Sequence, residues 1–286
     1  MPLPSTSIQA ARVSPPAALA RLAAVGPAHP VVRRCSRARR NLLPRSERVV
    51  LIAGRRAHEA VLRAGAVVDC LLWCPGERPD PWLVDVAQSV AEVAGEAHLI
   101  SPRTLTRVYP AASAPELVSL VRLPEWRPVE VITPAARLVL VADGIEYAGN
   151  LGTLVRTADA CAADAVILTC GVARITHPKA FKASRGTVLT TPTVSYRSVA
   201  SAKRDLVAAG FALYVADPAA VTSYRDASLG QGSTAVVVGS EGEGVCQAWR
   251  TPDGTAVSIP MHGRADSLNV AVSAALPMFE ARARLG

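Results

Sequence analysis

From residue 47 onward the chain alternates short apolar runs with amphipathic stretches. ERVVLIAGRR (47–56) reads as a buried strand, and AHEAVLRAG (57–65) as a helix closed by Gly65. VVDCLLWC is a second strand, followed by a helix over 81–95 that again ends in glycine. HLIS (98–101), a short helix around 102–108 and ELVSLVRL (116–123) complete a small α/β unit. PEWRPVEVITPAA (124–136) carries three prolines and little periodicity, so it reads as a linker. The alternation then resumes. LVLVAD (138–143) precedes a helix from near Leu151 with Asn150 as its N-cap. AVILTC (165–170), a helix over 178–185, TTPTVSY (190–196), a helix over 202–210, FALYVAD (211–217), TAVVVGS (234–240) and AVSIPM (256–261) follow, and a helix over 268–284 closes the chain. Strands alternating with helices predict an α/β fold with a mostly parallel sheet covered on both faces. Ligands in such sheets bind at loops beyond the carboxyl ends of the strands.

At 286 residues, half of them apolar, the chain is large enough for two domains and cannot be wholly disordered. The expected division is a flexible basic arm over 1–40, a first α/β domain over 41–123, the linker 124–136 and a second α/β domain over 137–286. No apolar run reaches the roughly 18 residues needed to cross a bilayer, so no membrane partner is expected. The six cysteines form no CxxC pair and the five histidines no metal-ligand spacing. No metal is therefore expected, Cys70 and Cys74 read as small buried hydrophobes, and a reducing cytoplasm is the natural compartment.

Charge separates the two ends. Residues 1–56 hold eleven arginines against the single acid Glu47, a net +10, whereas the whole chain is +8, leaving −2 for the rest. A basic segment on a near-neutral body suits a polyanion. The candidate RNA contacts are Arg33, Arg34, Arg37, Arg39, Arg40, Arg55 and Arg56; the plainer alternative is a solvated tail. Arginine outnumbers lysine 28 to 3, which fits bidentate phosphate binding but equally a GC-rich genome. The first 40 residues loosely resemble a mitochondrial transit peptide, yet Pro2, Pro4, Pro15, Pro16, Pro27 and Pro30 interrupt any long helix, and a flexible arm of a bacterial protein is preferred.

Three loops combine polar residues with glycines. In DGIEYAGNLGTLVRTADA (143–160), Gly152 lies four residues before Arg156, so its missing side chain clears space on the helix face that carries the arginine. In VVVGSEGEGV (236–245), three glycines and Ser240 surround Glu241, which lets backbone N–H groups approach a ligand; the order is neither a P-loop nor a dinucleotide fingerprint. In VSIPMHGRADSLNVAVSAAL (257–276), Ser267 is a good helix cap, whereas Asn269 within the first turn is harder to explain as a helix former. Each loop has an ordinary structural explanation when taken alone.

In this order they resemble the SpoU (TrmH-like) branch of the SPOUT methyltransferases: GNLGTLVRTADA its first motif, GSEGEGV its second and SIPMHGRADSLNVAVSAA its third. KAFKASRGTVLTTPTV (179–194) resembles the segment between the first two, and residues 47–123 resemble the ribosomal-protein-like domain often fused ahead of it. The resemblance implies a trefoil-knotted C-terminal domain, a homodimer with its active site at the interface, and S-adenosylmethionine as cofactor. By that likeness the cofactor would be held by Gly239, Ser240, Gly242, Ile259, Met261, Gly263 and Leu268. Asn150, Arg156, Glu241, Ser267 and Asn269 match the family's polar active-site positions, with Arg156 acting at a ribose 2′-hydroxyl. The implied activity is 2′-O-methylation of RNA. The ASRGTV stretch and the lead-in RVYPAASAPELVSLVRLPEW resemble the thiostrepton- and nosiheptide-resistance enzymes, which favours 23S rRNA and an antibiotic-resistance role. A tRNA enzyme, a small-molecule or nucleoside O-methyltransferase and a non-catalytic RNA-binding protein are the alternatives.

Overall fold

The computed structural model describes residues 18–110, 115–240, 242–250 and 253–285. Two sheets organise the chain. The first is built from β1 (Ala23–Val25), β2 (Val49–Ala53), β3 (Val68–Trp73), β4 (Ala94–Ile100) and β5 (Leu117–Arg122), with helices α1 (Pro30–Arg39), α2 (Arg55–Arg63), α3 (Pro81–Val93) and α4 (Pro102–Val108) between them. Its order is β1-β4-β3-β5-β2, with β5 antiparallel to both neighbours. A short helix α5 (Pro128–Val131) interrupts the expected linker.

The second sheet is wholly parallel, in the order β11-β9-β10-β6-β7-β8. Its strands are β6 (Leu138–Asp143), β7 (Ala165–Thr169), β8 (Thr193–Ser195), β9 (Ala212–Ala216), β10 (Thr234–Val238) and β11 (Gly254–Val257). The intervening helices are α6 (Ala148–Ala160), α7 (Pro178–Ser184) and α8 (Val199–Ala208), and α9 (Val270–Leu285) ends the chain. The strand pleat explains the near-continuous apolar runs. In β6, Leu138, Leu140 and Ala142 join Leu151, Leu154 and Ala274 on one face, while Val139 and Val141 join Ala202 and Leu206 on the other. Each fully buried leucine here contributes roughly 1.5–3 kcal/mol.

The amino-terminal segment corrects one expectation. Residues 18–40 are not a flexible arm: β1 pairs in parallel with β4, and α1 buries Val31, Val32, Cys35 and Ala38 against the first sheet. Pro30 does not break this helix but occupies its first turn, where a missing N–H costs nothing. The arginines sit on the remaining faces of α1. Residues 1–17, the rest of the expected arm, lie outside the described residues. Gly95, expected to close a helix, instead lies within β4, where a side chain would press on the Asp69 carbonyl of β3 at 3.0 Å.

The two sheets are docked through α7 and the turn after it. Gly186 approaches α2 so closely that a Cβ there would sit 2.6 Å from that of Ala60. Arg174 donates to the carbonyls of Asn41 (3.2 Å), Leu43 (2.9 Å) and Pro44 (3.1 Å), tying the loop after α1 to the loop before α7.

Candidate active site

Chain order along the second sheet reverses between β6 and β10: β7 and β8 lie on one side of β6, β9 and β10 on the other. Such a switch point opens a crevice at the carboxyl ends of the strands. Asp143, the last residue of β6 and 1% exposed, organises it. Its carboxylate accepts from Thr169 Oγ1 at the end of β7 (2.7 Å) and from the Cys246 amide beyond the glycine-rich loop (2.8 Å). One buried carboxylate thus ties three loops together. In the sequence Asp143 marks only the end of a strand.

The glycine-rich loop folds back on itself. Ser240 and Gly244 exchange backbone hydrogen bonds of 3.2 and 3.0 Å, and Ser240 Oγ accepts from the Glu243 amide at 3.2 Å. A Cβ at Gly239 would overlap the backbone of Gly244 and Val245, so only glycine fits. Gly242 is exposed at the tip, and Glu241 lies outside the described residues.

Helix α6 starts earlier than expected. Tyr147 is its N-cap residue, without a capping side chain, and Asn150 sits inside the first turn. The Asn150 side chain reaches out of the helix: its Oδ1 accepts from Asn269 Nδ2 at 3.2 Å. Gly152 does not clear space for Arg156. Its bare face receives α7, and a Cβ there would overlap the Ala180 carbonyl and lie 2.9 Å from Ala180 Cα. Arg156 is exposed on the helix surface and forms no ion pair with any described residue.

The third loop also differs in its cap. Helix α9 begins at Val270, and Asn269 rather than Ser267 caps it, with Oδ1 accepting from the Ala271 amide at 3.0 Å. Asn269 therefore uses both ends of its amide, one on α9 and one on Asn150. Ser267 is exposed, 3.5 Å from Asp266 Oδ1. Ile259 and Leu268 are half-buried, and Met261 and Gly263 are exposed. The structure thus brings Asn150 and Asn269 into contact and leaves Arg156 facing outward.

Comparison with known proteins decides the family. The family model of the SpoU rRNA Methylase family matches residues 137–279, half of the chain. The chain belongs to this family. Among its SpoU-family relatives is the 23S rRNA (guanosine(2553)-2'-O)-methyltransferase RlmP of Bacillus subtilis, 30% identical over 187 residues, or 65% of this chain and 73% of that protein. A solved RNA 2'-O ribose methyltransferase is 32% identical with a TM-score of 0.73, covering 92% of this chain and 99% of that one. The SpoU methyltransferase AviRb of Streptomyces viridochromogenes, solved in complex with the cofactor AdoMet, is 26% identical with a TM-score of 0.77, covering 89% and 97%. These likenesses extend through both sheets, well beyond the SpoU segment itself.

The arginines expected to meet RNA in this SpoU-family chain have unequal freedom. Arg33, Arg37 and Arg40 form an exposed stripe along α1 and its C-cap. Arg34 is instead engaged by Glu47 (3.1 Å) and Asp69 (2.9 Å). Arg39 lies over the Tyr109 ring at 4.8 Å, and Arg55 over Trp82 at 3.4 Å with Glu59 3.6 Å away. Arg56 is exposed. Among the described residues, no helix is long and apolar enough to cross a membrane.

Proposed function

We propose that this protein methylates a ribose 2′-hydroxyl of ribosomal RNA, with 23S rRNA as its substrate. The observation that carries the reading is the Asn150–Asn269 hydrogen bond, which joins the first and third motifs at the mouth of the switch-point crevice. The enzyme class and cofactor follow from the family: the chain is an S-adenosylmethionine-dependent RNA 2′-O-methyltransferase. When bound, the cofactor supplies an electrophilic methyl group on a sulfonium.

The loops fit an adenosine-bearing ligand. Ile259 and Leu268 are half-buried and Met261 is 37% exposed, an apolar set with surface left to cover. Among the described residues, no backbone amide between 259 and 268 donates to another backbone group. Those donors, with the glycine-rich turn at Gly239, Ser240 and Gly242 and with Gly263, would hold the adenosine and its charged tail. The trefoil knot that the family likeness implies would lie around this site, where α9 packs on α6.

A ribose hydroxyl is a weak nucleophile and releases its proton to solvent as its oxygen takes the methyl group. A guanidinium offers donors and no acceptor, so the role of Arg156 is to stabilise the developing alkoxide rather than to take the proton. Asn150, held by Asn269, orients the ribose, while the family likeness would give Glu241 and Ser267 a supporting role toward the loops and substrate. Arg156 is exposed and pairs with no described carboxylate, which suits a site completed by a second copy. The exposed face of α9 supports that homodimer: Val272 is 47%, Leu276 36% and Phe279 51% exposed, at one helical face.

The test is incubation with labelled S-adenosylmethionine and total bacterial RNA, followed by primer extension. Label in 23S rRNA with a single new stop supports the reading, and label confined to tRNA or absent from RNA overturns it. A role in resistance rests on the likeness of ASRGTV and residues 107–126 to the thiostrepton-resistance enzymes. Thiostrepton tolerance of a sensitive bacterium expressing the gene is its test.

A further inference from the structure

A cavity of about 710 Å³ opens between the two domains, beside the Asn150–Asn269 pair. Asn41 contributes from the first domain; the β6–α6 and β7–α7 loops supply the rest. Two of its lining side chains are large, apolar-faced and open to solvent: Tyr147 is 65% exposed and Val172 67%. A tyrosine ring so exposed contributes little to the core and lines the cavity with surface free to contact a ligand. Three residues later on the same helix turn stands Asn150.

The electrostatics of the wall are asymmetric. Lys179 is exposed and, among the described residues, has no carboxylate within ion-pair range. Arg174 donates to three backbone carbonyls of the segment after α1, so it braces the wall. His177 Nδ1 accepts from the Lys179 amide at 3.0 Å. Burial lowers its pKa, and the nearby charges of Lys179, Arg39 and Arg174 lower it further. Glu146 is the one carboxylate among the lining residues; as an acceptor only, it matches a base amino group rather than a phosphate.

We propose that this cavity receives an unpaired nucleotide of the RNA next to the one being methylated, its base stacked on Tyr147 and its phosphate on Lys179. The proposal rests on the reading of the protein as an RNA methyltransferase. Sequence-specific RNA recognition works on splayed, single-stranded bases stacked on aromatic rings. Here the ring, the cation and the amino-group acceptor line one cavity whose two walls are fixed to each other by Arg174. The first domain thereby sets which RNA loop can reach Asn150.

The test uses the full chain and protein-free total bacterial rRNA, comparing wild type with Tyr147→Ala, Tyr147→Phe and Lys179→Gln. Because Tyr147 is exposed, the thermal melting point and S-adenosylmethionine binding should not move in any variant. Tyr147→Ala should raise the KM for RNA about tenfold or more with kcat little changed, and Tyr147→Phe should behave as wild type, since stacking needs only the ring. Lys179→Gln should raise the KM and lower the slope of its logarithmic salt dependence by about one. A Tyr147→Ala KM within about twofold of wild type, or equal damage from Tyr147→Phe, overturns the proposal while leaving the enzyme assignment intact. If wild type itself transfers no methyl group to RNA, the assignment fails and the proposal with it.

Discussion

Asn269 donates its side-chain amide to the Asn150 side-chain oxygen at 3.2 Å, across 119 residues of sequence, while its own oxygen caps α9. The two duties separate by mutation. Asn269→Asp keeps the capping oxygen but loses the donor, so the melting temperature should hold while methylation falls. Asn269→Ala loses both and should also cost about 1 kcal/mol of stability. Thermal denaturation beside a methyl-transfer assay distinguishes them, and equal activity in Asn269→Asp and wild type would remove the pair from the active site.

Arg156→Ala should lower methylation by about 100-fold or more, the usual loss when a positioned donor to a developing oxyanion is removed. S-adenosylmethionine binding and stability should be unchanged, since the side chain is exposed and forms no ion pair with a described residue. Arg156→Lys should recover only part of the rate, because an ammonium lacks the guanidinium fork. Equilibrium dialysis and single-turnover kinetics give the two readouts.

Gly152→Ala should destabilise the protein by about 1–3 kcal/mol, the cost of forcing extra volume into a packed contact. The clash is with α7 backbone, which cannot rotate away as a side chain can. Denaturant titration should show a lowered midpoint with an unchanged slope.

His58 is fully buried, with Nδ1 donating to the Gly54 carbonyl at 2.7 Å and Nε2 accepting from Ser119 Oγ at 2.9 Å. Desolvation lowers its pKa to about 4, opposed by the hydrogen bond to Gly54. The unfolded chain takes up this proton near the ordinary value of about 6.5, while the native state holds the ring neutral. Stability is therefore full above about pH 6.5 and falls as pH drops toward 4, by about 3 kcal/mol at most from this group. A pH series of denaturation curves should show that loss, and His58→Gln should flatten it.

Much of the architecture was legible in the residues. Apolar runs such as LVLVAD and TAVVVGS marked strands because both faces of a parallel sheet are covered, and the three polar loops marked the ends of those strands. What escaped depended on contacts distant in sequence. Arginine density in 1–40 masked the buried stripe of Val31, Val32, Cys35 and Ala38 that folds α1 onto the first sheet. Spacing along one helix links Gly152 to Arg156, whereas the contact that requires glycine there is with Ala180 on another helix. Asn269 looked misplaced inside a helix until its position placed it one residue before the first turn. Arg174 carried no local signal, since the carbonyls it meets belong to Asn41, Leu43 and Pro44, far away in the sequence.

The most direct measurement follows the fate of a labelled methyl group. Wild-type protein, S-adenosylmethionine carrying a labelled methyl and bacterial 23S rRNA are incubated, and the RNA is digested in alkali. A ribose methylated at its 2′-oxygen cannot assist cleavage of the adjacent phosphodiester, so the expected label lies in an alkali-resistant dinucleotide and disappears with Arg156→Ala. Label released as a mononucleotide methylated on its base, or full incorporation by Arg156→Ala, would contradict methyl transfer to a 2′-hydroxyl at this site.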